Sequence, residues 1–178
     1  MRKLVESSIV SLDGVVGAPW EWTGPLFDAE VKDYSRRQLA RYDAFLLGRG
    51  TYEKLGGSWS QIRGDEYFDT INAMPKYVAS TTLDQLSWHA TRLDGDLVEA
   101  VAELKARPGR DLVKYGPGLD RTLVAHGLVD EFHFLLMPVV VGAGTHLLEG
   151  VDTGGRGLEL VDTTRFGNGV LALTYVPK

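Results

Sequence analysis

The stretch Asp43-Ala44-Phe45-Leu46-Leu47-Gly48-Arg49-Gly50-Thr51-Tyr52-Glu53 constrains this chain more than any other. Phe45 to Leu47 is a short apolar run that meets a turn signal, the pattern of a buried strand. Gly48 and Gly50 follow, and glycine admits positive φ and close approach of another group to the backbone. The next residues open a helix whose unpaired N–H groups, with Arg49 beside them, make a place for a phosphate. A phosphorylated ligand, a dinucleotide first of all, is the expectation. A plain strand–turn–helix connection with a solvated arginine accounts for the same residues.

A chain of 178 residues is expected to form one domain, 1–178, with a substantial core. Its net charge of −5 comes with no basic run, which argues against a nucleic-acid face. There are no cysteines, so disulfides and thiolate chemistry are excluded. Met1-Arg2-Lys3 resembles the start of a signal peptide, but Glu6 and Asp13 interrupt what should be its apolar part. The apolar run Phe134 to Val141 contains Pro138 and is too short to span a bilayer. A cytoplasmic protein is expected.

In chain order, Leu4 to Leu12 reads as a first strand ending at Asp13-Gly14. Val15 to Pro25, with Gly17, Pro19 and Gly24 around Trp20 and Trp22, reads as a mobile loop. Its two indoles either wall a substrate pocket or pack on the core. Asp28 caps a helix to about Arg41, with Val31, Tyr34, Ser35 and Leu39 on its apolar side. The strand–turn–helix unit of the opening follows, its helix expected to stop at Gly56-Gly57. Asp65 to Asn72 is a short helix, and Lys76 to Ser80 and Trp88 to Leu93 are strands.

Asp96 to Ala106 is an amphipathic helix, with Leu97, Val98, Val101, Ala102 and Leu104 on one side. Asp111 to Tyr115 is a strand that runs into Gly116-Pro117-Gly118 and a helix stopped at Gly127. Phe132 to Met137 is a buried strand, and 158–164 and 170–176 form a closing hairpin. Strands alternating with helices define an α/β fold with a largely parallel sheet covered on both faces and antiparallel strands at the end.

Ligands of such sheets bind at the carboxyl ends of the strands. Three strands end in phosphate- or hydroxyl-friendly turns: Gly48-Arg49-Gly50-Thr51, Ser80-Thr81-Thr82 and Gly116-Pro117-Gly118. Together they point to a long phosphorylated ligand lying across one sheet edge. The run Gly116 to Arg121 lacks the third glycine of a dinucleotide fingerprint and an acidic residue clearly placed about twenty positions on, so a standard Rossmann site is rejected. A proline after Gly116 lowers the cost of a cis bond there. His89, His126, His133 and His146 lack metal spacing, and Gly56 to Ser60 misses a nucleophile elbow by its last glycine. Asp28, Glu30 and Asp33, on the helix after the indole loop, could supply a proton relay or simply be solvated.

Taken in order, these motifs resemble the dihydrofolate reductase fold, in the branch that includes the reductase domain of bacterial riboflavin biosynthesis. The residues that carry the resemblance are Ser11-Leu12-Asp13-Gly14, Leu46 to Glu53, Lys76 to Leu83, Tyr115 to Gly118, Gly127 to Glu131 and Pro138 to Gly144. The resemblance spans nearly the whole chain and implies a dihydrofolate reductase-like three-layer fold with NADPH across the strand ends. Arg49 and Thr51 would meet phosphates, and Ser80, Thr81 and Thr82 would lie by the adenosine 2′-phosphate. Gly116, Pro117, Gly118, Leu119 and Asp120 would wrap the pyrophosphate and nicotinamide side, and the cis bond that the family carries at this glycine loop would fall at Gly116-Pro117. Gly50 and Thr81 stand where relatives often carry basic residues, so NADH is also possible.

The implied chemistry is hydride transfer to a small pterin- or pyrimidine-like heterocycle, as in 5-amino-6-(5-phosphoribosylamino)uracil reductase or dihydrofolate reductase. The candidate proton donors are Glu30, Asp33, Asp13 and Tyr115, and Trp20 and Trp22 are the candidate substrate wall. The alternative is a nucleotide-binding or interaction protein that kept the fold without catalysis. Relatives often pair, and the apolar strand Phe132 to Val141 offers surface for a homodimer.

Overall fold

The computed structural model describes residues 1–178. Eight strands form one sheet: β1 (Leu4–Ser11), β2 (Tyr42–Gly48), β3 (Lys76–Ala79), β4 (Ala90–Leu93), β5 (Asp111–Tyr115), β6 (Glu131–Met137), β7 (Leu158–Arg165) and β8 (Leu171–Pro177). Six helices connect or flank them: α1 (Pro19–Trp22), α2 (Ala29–Leu39), α3 (Arg49–Trp59), α4 (Glu66–Ala73), α5 (Leu97–Ala106) and α6 (Asp120–Ala125). The strand order is β4-β3-β2-β5-β1-β6-β8-β7. All contacts from β4 to β6 are parallel, while β8 runs antiparallel to both β6 and β7.

The alternation of side chains along each strand explains the two covered faces. Leu4, Val10, Ala44, Leu46, Leu112 and Phe132 point to the side packed by Val101 and Leu104 of α5 and Leu123 of α6. Val5, Phe45, Leu47 and Val113 point the other way, against Leu39 of α2, Tyr52 of α3 and Ile71 of α4. Beside them Val31 and Tyr34 of α2 pack on Leu135, Met137 and Phe166. Strands buried on both faces read as continuous apolar runs, which is why β2 and β6 were legible.

The caps follow the sequence as well. Asp28 accepts from Val31 N, Asp65 from Tyr67 N and Phe68 N, and Asp96 from Val98 N and Glu99 N. No helix is long and apolar enough to cross a membrane.

Several expectations are corrected. The bond Gly116-Pro117 is trans, and the chain contains no cis peptide. Gly48 and Gly50 do not take positive φ; that conformation belongs to Gly116, at +80°. Helix α3 continues through Gly56 and Gly57 to Trp59, because the Trp59 ring packs edge-on to Phe68 and Tyr115 and holds the last turn.

The segment after β1 is not a plain loop. Val15 and Val16 are buried, Val15 bridges to His146, and Pro19–Trp22 forms the short helix α1, whose Pro19 and Trp20 line the cavity described below. Ala102 on α5 faces solvent, while Lys105 is buried with its Nζ on Leu128 O and Asp130. Phe132 to Met137 lies inside the sheet between β1 and β8, so it offers no surface to a partner.

Candidate functional site

The three turns named from the sequence follow β2, β3 and β5, adjacent strands at one edge of the parallel sheet. Helix α3 starts directly from Gly48, with no side chain capping its first N–H groups. A side chain at Gly50 would point into open space. Those donors are therefore available to an anion, and the helix dipole favours one there. Arg49 lies over this end: Nε bonds Glu53 Oε1 at 2.9 Å, and Nη1 donates to the Thr82 hydroxyl. That contact joins the second strand-end turn to the first.

Gly116 brings in the third turn. A Cβ there would collide with the Thr51 side chain, so the close approach of the two turns requires glycine as much as the positive φ does. Gly48, Arg49, Gly50 and Thr51 share one cavity of about 730 Å³ with Gly116, Pro117, Gly118 and Leu119. Ala79, at the end of β3, also lines it. Ser80, Thr81 and Thr82 lie just outside; the Ser80 hydroxyl accepts from Thr82 N and Leu83 N and shapes the turn.

Asp120 is buried behind the glycine loop rather than facing the cavity. Lys114 Nζ bonds Asp120 Oδ1 and, at 3.1 Å, Glu6 Oε2, while Asp120 Oδ2 has no partner within the chain. Burial, with the Glu6 carboxylate adding to it, pushes Asp120 up to about 7 against the pull of Lys114.

The two tryptophans divide. Trp20 lines the cavity, 56% exposed, with Lys54 Nζ 5.7 Å from the centre of its ring. Trp22 turns to the core beside Val31 and Met137, and its Nε1 donates to Gly17 O at 2.9 Å.

The proton-donor candidates divide too. Asp13 accepts from Ser11 Oγ, Val141 N and Gly142 N; the Ser11 bond first, then the two amides, hold its carboxyl far below the usual range. It clips the end of β1 to the segment after β6. Glu30 accepts from Gly167 N at the β7–β8 turn, and Asp33 pairs with Arg36 and Arg37 on the outer side of α2. Tyr115 alone of the four lines the cavity. Burial, with Tyr67 beside it, raises its hydroxyl well above the ordinary range, so it holds its proton at neutral pH.

Between α2 and the sheet the cavity has a second end that the sequence did not reveal. Ser7 of β1, Ser35 and Gln38 of α2, Tyr42 of β2 and His133 of β6 line it. His133 Nε2 meets Tyr34 Oη at 2.8 Å, and burial, then Arg41, pushes the imidazole down to about 4, so it is neutral at pH 7. A lone histidine in an apolar strand was the one sequence clue; nothing marked Tyr42.

The matching family is the RibD C-terminal domain, over residues 2–172, and the chain belongs to it. A relative from Bacillus subtilis (strain 168), the uncharacterized protein YyaP, is 30% identical over 98% of this chain and 94% of its own. The fold is dihydrofolate reductase-like. A putative riboflavin biosynthesis protein from Shewanella sp. PV-4 superposes with a TM-score of 0.78 at 18% identity, over 99% of both chains. Dihydrofolate reductase from Enterococcus faecalis, solved with NADP(H), gives 0.66 at 15% identity over 99% of this chain and 96% of the other.

Proposed function

We propose that the protein is an NAD(P)H-dependent reductase that transfers hydride to a small heterocyclic substrate, pterin- or pyrimidine-like. The observation that carries this reading is the cavity itself. It runs without interruption from the uncapped start of α3, past the Gly116 turn, to a polar, aromatic-walled end. The residues fit a nicotinamide dinucleotide: open backbone N–H groups and Arg49 suit phosphates, and the touching Thr51 and Gly116 turns form one rim along which a dinucleotide could lie. Such a cofactor supplies the hydride when bound. The protein's own part is to hold the Arg49–Thr51 and Gly116–Leu119 turns together and exclude water from the inner end. Tyr115, protonated and lining the cavity, is the proton source in this reading.

NADPH is the preferred cofactor because Arg49 stands beside the hydroxyl turn Ser80 to Thr82, with NADH second. A homodimer would form through β7, an edge strand with exposed Leu160 and Val161 and a free row of backbone groups. The second reading, a nucleotide-binding protein without turnover, draws on Asp13, Glu30 and Asp33 all lying outside the cavity lining. Titration with NADPH and NADH, read by nicotinamide fluorescence and thermal shift, tests the proposal. Saturable binding, tighter for NADPH, followed by oxidation with a heterocyclic acceptor, is expected. Failure of both cofactors to bind would end the reductase reading, and tight binding without turnover would favour the second.

A further inference from the structure

Glu6 and Lys114 are fully buried and Asp120 is 2% exposed, yet all three are ionisable and they touch. Lys114 Nζ bridges the two carboxylates, donating to Glu6 Oε2 at 3.1 Å and to Asp120 Oδ1. Glu6 Oε1 accepts from Ser8 Oγ at 2.5 Å, while Asp120 Oδ2 is shut away with no partner in the chain. Two carboxylates face one ammonium, so the fully ionised cluster carries one negative charge in excess.

Nothing around the cluster offsets that charge. On this face of the sheet Lys114 stands between Glu6 of β1 and Leu46 of β2. The layer is otherwise apolar, with Leu112 of β5, Val101 and Leu104 of α5 and Leu123 of α6. Arg121, next on α6, lies against Gly150, and Tyr115 keeps its proton and adds no charge. A buried charge without a counterpart is expensive, so the cluster retains a proton. The upward displacement of Asp120, caused by burial and then by Glu6 against the pull of Lys114, agrees with this.

The cluster adjoins the cavity at two points. Leu119 lines the cavity and Asp120 follows it in the chain. Ser8 lines it as well, at the end of the hydrogen-bonded line Ser8–Glu6–Lys114–Asp120. No Asp or Glu lines the cavity itself. An anion at the Gly116 turn meets the excess charge through low-dielectric protein, and is held better when a proton cancels that charge.

We propose that the Glu6–Lys114–Asp120 cluster holds one exchangeable proton and links it to the cavity: a dinucleotide bound at the Gly116 turn draws that proton in from solvent, by way of Ser8. Cofactor affinity is then highest with the cluster protonated and falls as pH rises past neutrality. The inference rests on the reading that the cavity takes an anionic nicotinamide cofactor, and it adds how pH regulates that site.

Calorimetric titration with NADH and NADPH at pH 7.5, in buffers of different ionisation enthalpy, counts the protons. NADH is included because the 2′-phosphate of NADPH itself titrates at about 6. The parent is expected to take up about half a proton per NADH, and its NADH affinity to fall about threefold to tenfold from pH 6.5 to 8.5. Asp120→Asn and Glu6→Gln each leave one carboxylate against one ammonium. Both should bind NADH without proton uptake and with an affinity that is flat over that range. A cluster that only braced the Gly116 turn would change affinity in the variants and leave the proton count alone.

Cofactor binding without proton uptake in the parent would overturn this inference alone, and so would uptake that persists in both variants. Failure of both cofactors to bind would remove the reductase reading and this inference with it. Carboxyl-carbon NMR titration of the unliganded parent needs neither variant. A buried carboxyl titrating between pH 6 and 8 is expected, and none in that interval would overturn the proposal.

Discussion

Thr51 and Gly116 touch across the mouth of the cavity so closely that a β-carbon on Gly116 would overlap the Thr51 side chain. Thr51 lies in the first turn of α3 and Gly116 directly follows β5, so this contact fuses two strand-end turns into a single rim. Gly116 also sits at φ +80°, where L side chains are strained.

Gly116→Ala is therefore expected to destabilise the fold by about 1–3 kcal/mol and to abolish NADPH binding. Adding Thr51→Ala should restore part of the stability, because it removes the steric cost and leaves the φ cost. Denaturant unfolding of the single and double variants checks this. A Gly116→Ala protein as stable as the parent would refute the packing argument.

Arg49→Ala should weaken NADPH by about 1–3 kcal/mol, the range for a lost charge-assisted hydrogen bond. Fold stability should hardly move, because the exposed Arg49–Glu53 pair contributes little. Fluorescence titration at two salt concentrations measures the first and thermal melting the second. Unchanged affinity would remove the phosphate assignment at α3.

Asp120 and His133 pull the pH dependence of stability in opposite directions. The Asp120 carboxyl, raised from 3.8 to about 7, keeps its proton longer in the folded chain, so its contribution is complete at low pH and is lost as pH rises through about 7. The His133 imidazole, lowered from 6.5 to about 4, gives a contribution that is present above about 6.5 and lost as pH falls toward 4. Between pH 4.5 and 6.5 the two are expected to offset. Asp120→Asn should then show stability rising with pH over that interval, and His133→Gln should show it falling. Denaturation midpoints of both variants from pH 4.5 to 7.5 decide the matter; profiles parallel to the parent's would show the assignments to be wrong.

The two tryptophans should separate cleanly. Trp22→Ala loses a half-buried ring and the bond to Gly17 O, and is expected to cost about 2–4 kcal/mol. Trp20→Ala, at an exposed ring, should leave the melting temperature nearly unchanged and reduce quenching by ring ligands. Thermal melts with ligand titrations test both, and the reverse pattern would place the substrate wall at Trp22.

The sequence by itself determined the α/β class, the strand run Phe45 to Leu47, the helix starts at Asp28, Asp65 and Asp96, and the three strand-end turns. These are local matters: capping acids, apolar runs and glycine turns act through neighbours a few residues away. Only the tertiary structure decided that α3 runs past two glycines, since Phe68 and Tyr115 hold its last turn from distant parts of the chain. It also turned Trp22 inward, buried Asp120 against Lys114, and brought Tyr42 and His133 to the lining of one cavity by placing β2 and β6 either side of β5 and β1. Those placements depend on sheet order and on helices closing over each face, and long-range packing of that kind leaves no local pattern in the chain.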